Sequence, residues 1–148
     1  MIKDSTYRTL FPSASATLVV LIGAAGLAFA AAQEDREPKW VAPEAARIRA
    51  NPLPPNDEML REGLKLYKKN CSTCHGAYGR GDGPATQFIG TTPTDLSLPE
   101  VQSRLTDGEI FWKLTEGRNP MPSFKKKLSE TERWQLAGYV RSLSTQTR

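Results

Sequence analysis

A chain of 148 residues has room for one compact domain plus appendages. Its 20 basic and 16 acidic residues leave a net charge of only +4, too small a surplus to signal nucleic-acid binding, so what matters is where the charge sits. Only two cysteines are present, both inside one short motif, so their count says little about disulfides.

The chain opens with a targeting pattern. Lys3 and Arg8 stand against Asp4, and no further charge appears until Glu34. Residues 18–32 are all apolar or glycine. Residues 1–32 therefore read in one of two ways. As a secretory signal they offer Ala28-Phe29-Ala30 or Ala30-Ala31-Ala32 as small-residue cleavage sites. As an uncleaved membrane anchor they offer the nineteen weakly polar residues 14–32, close to the ~20 needed to span, with Trp40 beyond as an interfacial anchor. Either way Lys3 and Arg8 stay in the cytoplasm and the domain that follows lies outside it. Residues 33–56 form a linker by composition, with Pro38, Pro43, Pro52, Pro54 and Pro55. Pro43 can start a short helix towards Ala50. The stretch is either a solvated tether, reaching ~75 Å if polyproline-like, or a segment laid on the following domain or a partner.

A helix is expected next. Asn56 can cap it, with Asp57 and Glu58 in the first turn. Leu60, Gly63, Leu64 and Tyr67 fall at i, i+3, i+4 and i+7. Gly63 costs a helix about 1 kcal/mol against alanine, which points to close approach by another helix. The helix runs into Cys71-Ser72-Thr73-Cys74-His75, which holds both cysteines and the sole histidine. C-x-x-C-H is the attachment signature of c-type haem. On a helix Cys71, Cys74 and His75 share one face, so two thiols can bond the haem vinyls while the imidazole reaches the iron. The rivals fit less well. Structural zinc wants four N/S ligands and the chain has three. A thioredoxin-like pair wants a βαβ setting, and a plain disulfide leaves His75 unexplained.

Four glycines within residues 76–83 end the helix in a loop that can pass close to the haem edge. A phosphate-binding loop would want Gly-Lys-Ser/Thr and a following apolar helix, and neither is there. Residues 91–99 read as irregular chain. Thr106 and Glu109 form a capping box for a short helix with Ile110, Phe111 and Leu114 apolar, stopped at Gly117. Pro120 and Pro122 bracket Met121 and keep it out of helix. A second box, Ser129 and Glu132, opens the last helix, whose core face is Trp134, Ala137, Val140 and the stem of Arg141, with Leu136, Tyr139 and Leu143 beside it. No strand or repeat is evident.

In this order, a helix with Gly63 and Tyr67, the haem motif, Gly83-Pro84, Met121-Pro122 and a last helix with Trp134 and Tyr139, residues 57–148 resemble a class I mono-haem cytochrome c. The resemblance implies an all-α fold around one covalent haem c, with the first and last helices crossed so that Gly63 and Tyr67 meet Tyr139. It also implies that the Pro84 carbonyl accepts from the His75 ring. The sixth iron ligand is limited by the residues themselves: there is no second histidine, Met1 is in the targeting segment, and Met59 leads into the histidine side, which leaves Met121. With His75 and Met121 both bound the iron has no open position, so the expectation is an electron carrier and not an enzyme. The same pattern is similar to mono-haem subunits of bacterial respiratory assemblies such as alternative complex III, although the lipid-bearing cysteine usual near that subunit's start is missing. The expected partners are redox proteins, in a membrane complex reached through the N-terminal segment. A free periplasmic shuttle, a cytochrome attached to a reaction centre, or a haem sensor or peroxidase-like protein with a labile sixth ligand are the alternatives.

Overall fold

The structure, a computed structural model, describes residues 40–145. The chain divides into two units, Met1–Lys39 and Trp40–Arg148, and every described residue belongs to the second. The signal or anchor expected over residues 1–32 lies outside the described residues, as do residues 33–39. Among the described residues no helix is long and apolar enough to cross a membrane.

Helices build the domain: α1 (Glu44–Arg47), α2 (Asp57–Asn70), α3 (Ser72–His75), α4 (Pro99–Gln102), α5 (Asp107–Glu116) and α6 (Glu130–Ser142), with 3-10 turns at Thr86–Phe88 and Leu143–Thr145. The β pairing among the described residues is one bridge between Arg118 and Met121. The fold is all-α, as the resemblance implies. α2 starts where Asn56 Oδ1 accepts from the Met59 N–H at 2.9 Å. α6 starts on a complete capping box: Ser129 Oγ accepts from the Glu132 N–H, and the Ser129 N–H donates to Glu132 Oε2 at 2.7 Å. The box expected at Thr106 is only half formed. Thr106 Oγ1 accepts from the Glu109 N–H at 3.1 Å, but the Glu109 carboxylate is drawn to Lys113 Nζ at 3.2 Å and Arg47 Nε at 3.9 Å instead of reaching back.

α2 and α6 cross at Gly63. A Cβ there would lie 2.6 Å from Tyr139 Cβ and closer still to the Gln135 carbonyl oxygen, so the two backbones touch through the missing side chain. One turn on, the Tyr67 and Tyr139 rings pack with centroids 5.2 Å apart. Trp134 stacks on Phe111 at 4.0 Å and joins α6 to α5. Tyr67, Trp134, Leu136 and Leu143 are almost sealed from solvent. α6 is thus buried around most of its circumference. Arg141, half-buried, ties it to the helices before it. Its guanidinium donates to the Gln102 and Leu105 carbonyls at 2.6 and 2.7 Å and pairs with Asp107 Oδ1 at 3.0 Å, bracketing the chain between α4 and α5. That chain leaves three acceptors at one spot, and only a multidentate cation satisfies them together.

The proline-rich stretch lies on the domain over its described part, residues 40–56. Ala42 is buried. Asn51 Nδ2 donates to the Trp134 carbonyl at 3.0 Å. Arg49 pairs with Glu130 at 2.9 Å, and its guanidinium covers the rings of Phe111 and Trp134 at 4.9 and 5.1 Å. Trp40 packs on Trp112 at 6.3 Å, with Lys113 Nζ 4.8 Å from its ring.

Candidate functional site

Cys71 stands at a break between α2 and α3, with φ −122° and ψ −38°. Hydrogen bonding runs through the break: the Cys71 N–H donates to the Tyr67 carbonyl at 2.8 Å, and the Cys71 carbonyl accepts from the Cys74 and His75 N–H groups at 3.0 and 2.8 Å. The turn therefore keeps the i, i+3, i+4 relation that puts Cys71, Cys74 and His75 on one side. The two cysteines form no disulfide with each other; Cys71 is buried and Cys74 half-buried. Among the described residues no three His, Cys, Asp or Glu side chains converge to hold a metal ion.

A four-residue helix leaves its carbonyls without internal partners. Here the glycine loop supplies them. Ala85 N–H donates to the Thr73 carbonyl at 2.9 Å, Gly83 N–H and Thr86 Oγ1 to that of Cys74 at 3.2 Å each, and Gly81 N–H to that of His75 at 2.9 Å. Gly83 lies so close behind the turn that a Cβ would come within 2.6 Å of the Cys74 carbonyl carbon and oxygen. From the other side the buried Tyr67 hydroxyl donates to the Gly76 carbonyl at 2.8 Å. The motif is held by neighbours on both sides rather than by its own helicity.

Burial pushes the Cys71 thiol up to about 12, with Cys74 adding to the rise and Lys127 opposing it, so Lys127 sits within electrostatic reach of Cys71. Burial also lowers the pKa of His75, opposed in part by the Thr94 backbone. The imidazole is thereby kept neutral at neutral pH, the form with a lone pair for a metal. Its Nδ1 is buried and has no hydrogen-bond partner. The Pro84 carbonyl does not meet it; that oxygen accepts from Gln87 Nε2 at 3.3 Å. Two open surface clefts, about 610 and 460 Å³, share Asp82, Gly83 and Pro84 in their walls, and neither is lined by Cys71, His75 or Met121.

Met121 is half-buried and packs against the core cluster that contains Cys71, Phe124 and Leu128. Met59 is buried elsewhere, its sulfur 4.0 Å from Asn51 Nδ2 and its methyl against Gly138. Sequence reading missed Ser123, Thr115 and Arg133, which support the Met121 loop. Ser123 Oγ donates to the Thr115 carbonyl at 2.6 Å, and Arg133 Nη1 donates to Thr115 Oγ1 at 3.1 Å. No periodicity or motif flags these three. The burial that marks Arg133 is visible only in the fold.

The donor set fits a covalent haem: two thiols and a neutral imidazole on one turn, with a backbone cradle behind them. A family model described as cytochrome C oxidase, cbb3-type, subunit III matches residues 58–140. The chain is similar to cytochrome c6 of Anabaena variabilis, 33% identical over 78 residues that cover 53% of this chain and 84% of the relative. It is similar to cytochrome c6 of Petalonia fascia, 27% identical over 85 residues, 57% of this chain and 93% of the relative. Among solved structures it is similar to a chain of the Kuenenia stuttgartiensis reducing HAO-like protein complex, with a TM-score of 0.53 and 35% identity over 62% of this chain. It spans 46% of that solved chain, less than half its length.

Proposed function

The chain belongs to the cytochrome c family, and from that premise we propose that it carries electrons outside the cytoplasm through a haem held by Cys71 and Cys74 and ligated by His75 and Met121, as a membrane-associated respiratory or photosynthetic subunit. Family members are electron carriers with covalently attached haem c, and this chain is an electron carrier with haem c, not an enzyme. When bound, the haem supplies one-electron chemistry. The chain's own residues attach it through two sulfurs, offer a neutral imidazole, and present Met121 from a loop packed on the same core. Pro84 belongs to the wall behind the motif. The observation that carries the reading is the Cys71–His75 turn with its carbonyls taken up by the glycine loop, an arrangement that fixes two sulfurs and one imidazole together.

The oxidised holoprotein is expected to be low-spin and to show the methionine-to-iron charge-transfer band in the red. Its intact mass should exceed the polypeptide by one haem. A high-spin spectrum would favour a sensor or peroxidase-like protein, and recovery of haem by acid-acetone would refute thioether attachment.

The family description names a subunit of an oxidase, and the solved relative belongs to a protein complex; both support the subunit reading. The cytochrome c6 relatives support a free shuttle instead, because this domain accounts for 84% and 93% of their lengths. N-terminal sequencing of native protein separates the two. A start at Ala31 or Gln33 means a released shuttle, and an intact N-terminus recovered only with detergent means an anchor.

Partner docking is assigned to a basic rim. Lys125, Lys126 and Lys127 are exposed beyond the Met121 loop, and Lys68 and Lys69 are exposed in the last turn of α2. An acidic redox partner fits this rim through a small, transient interface. Reversing the charge of Lys125, Lys126 and Lys127 should slow the bimolecular electron-transfer rate at low salt by roughly tenfold or more and flatten its salt dependence. An unchanged salt slope with the physiological partner would remove the rim from the docking site.

A further inference from the structure

Met121 sits in a turn that holds its own shape. The Met121 N–H donates to the Arg118 carbonyl at 2.7 Å, and the Arg118 N–H donates back to that of Met121 at 2.9 Å. Neither bond fixes the turn's place on the domain. That is done at the end of α5, where the Gly117 N–H makes the last helical bond, to Lys113 O at 2.9 Å, and the next two carbonyls lack partners inside the helix. Leu114 O accepts from the Phe124 N–H at 3.0 Å and Thr115 O from Ser123 Oγ at 2.6 Å. Gly117, at φ 65°, turns the chain so tightly that a Cβ would meet the Pro122 carbonyl carbon at 2.5 Å. Of these two closures, one uses the Phe124 backbone N–H and the other the Ser123 side chain.

Its acceptor residue is itself immobilised. Thr115 Oγ1 donates to the Phe111 carbonyl at 2.8 Å and accepts from Arg133 Nη1 of α6 at 3.1 Å. Arg133 is 8% exposed and lies 5.1 Å over the Phe111 ring. The Ser123 hydroxyl thus ties the loop to the α5–α6 pair, beside the Phe124 N–H on the Leu114 carbonyl.

We propose that Ser123 is a positioning residue whose hydrogen bond to Thr115 sets how often the Met121 loop leaves its seat, and so how readily an outside ligand displaces Met121; this rests on Met121 being the axial ligand. A thioether is a neutral ligand on a half-buried side chain, so the stability of its loop governs access to the metal. An outside ligand binds in proportion to the population of the displaced loop.

The test is imidazole binding to the oxidised holoprotein, followed by loss of the red charge-transfer band. Ser123→Ala should raise the apparent affinity about three- to tenfold, the factor that one hydrogen bond is worth. Ser123→Thr keeps a hydroxyl and should return it towards wild type. Ser142→Ala removes a comparable bond, Ser142 Oγ to the Tyr139 carbonyl at 2.7 Å, away from the loop, and should leave imidazole affinity unchanged. Wild-type affinity in Ser123→Ala would overturn the latch, whether or not the variant melts earlier. Met121→Ala separates the two levels: if it keeps the band, the ligand reading fails and the latch with it, whereas if it loses the band while Ser123→Ala behaves as wild type, the latch alone fails.

Discussion

Leucine in place of Gly63 is expected to destabilise the holoprotein by about 1–3 kcal/mol or more. For a domain of this size that lowers Tm by roughly 5–20 °C. The reason is local and geometric. A Cβ on Gly63 already falls 2.6 Å from Tyr139 Cβ and collides with the Gln135 carbonyl, and neither is the free end of a flexible side chain that can swing away. Alanine makes the sharper case. In an exposed helix glycine to alanine gains about 1 kcal/mol. At Gly63 the contact should reverse that sign, so Gly63→Ala should melt below wild type. A melt at or above wild type in both variants would mean that α2 and α6 do not meet there.

Met121→Ala should keep the haem attached and convert the iron to a high-spin or water-ligated form. The red band should vanish and the potential should fall by on the order of 0.1 V, well within the ~0.8 V span that axial ligands control. Met59→Ala should do the converse. Met59 is 7% exposed and wedged between Asn51 and Gly138, so its truncation should cost about 2–5 kcal/mol in stability and leave the band in place. The pair separates a ligand from a core filler in two measurements, optical spectrum and thermal melt. A band lost in Met59→Ala and kept in Met121→Ala would reverse the assignment.

Legibility in the sequence followed the range of each interaction. The haem motif is local, so its spacing was enough to group Cys71, Cys74 and His75. The crossing was legible because Gly63 is a costly residue in a helix and needs a reason. The caps at Asn56 and Ser129 were legible because each bond spans three residues. The cap at Thr106 was half right, since Glu109 found cations that no local pattern announces. What stayed open was long range. The seat of residues 40–56 depends on Asn51 meeting Trp134 and Arg49 meeting Glu130, partners 83 and 81 positions away. Proline-rich composition describes the chain's stiffness and is silent on where it lies. The bond expected between Pro84 and the His75 ring came from resemblance alone, and the Pro84 carbonyl turns to Gln87 instead.

The seating of residues 40–56 also alters the range over which the protein can act. As a free tether, residues 33–56 would sweep a volume wide enough to serve partners scattered around an anchor. With residues 40–56 tied to the domain, at most residues 33–39 separate it from residue 32. Seven residues span at most about 25 Å even when fully stretched, no more than the diameter of the domain itself, whose radius of gyration is about 13 Å. If residues 1–32 remain in a bilayer, no more than that length of chain joins them to the redox domain. Electrons would then pass to something within one domain's width of the lipid surface, and collisions would be governed by lateral diffusion and by rotation on a short stalk. With such an anchor retained, a stalk of that length would raise the domain's local concentration towards neighbours in the same membrane and remove it from competition for distant ones.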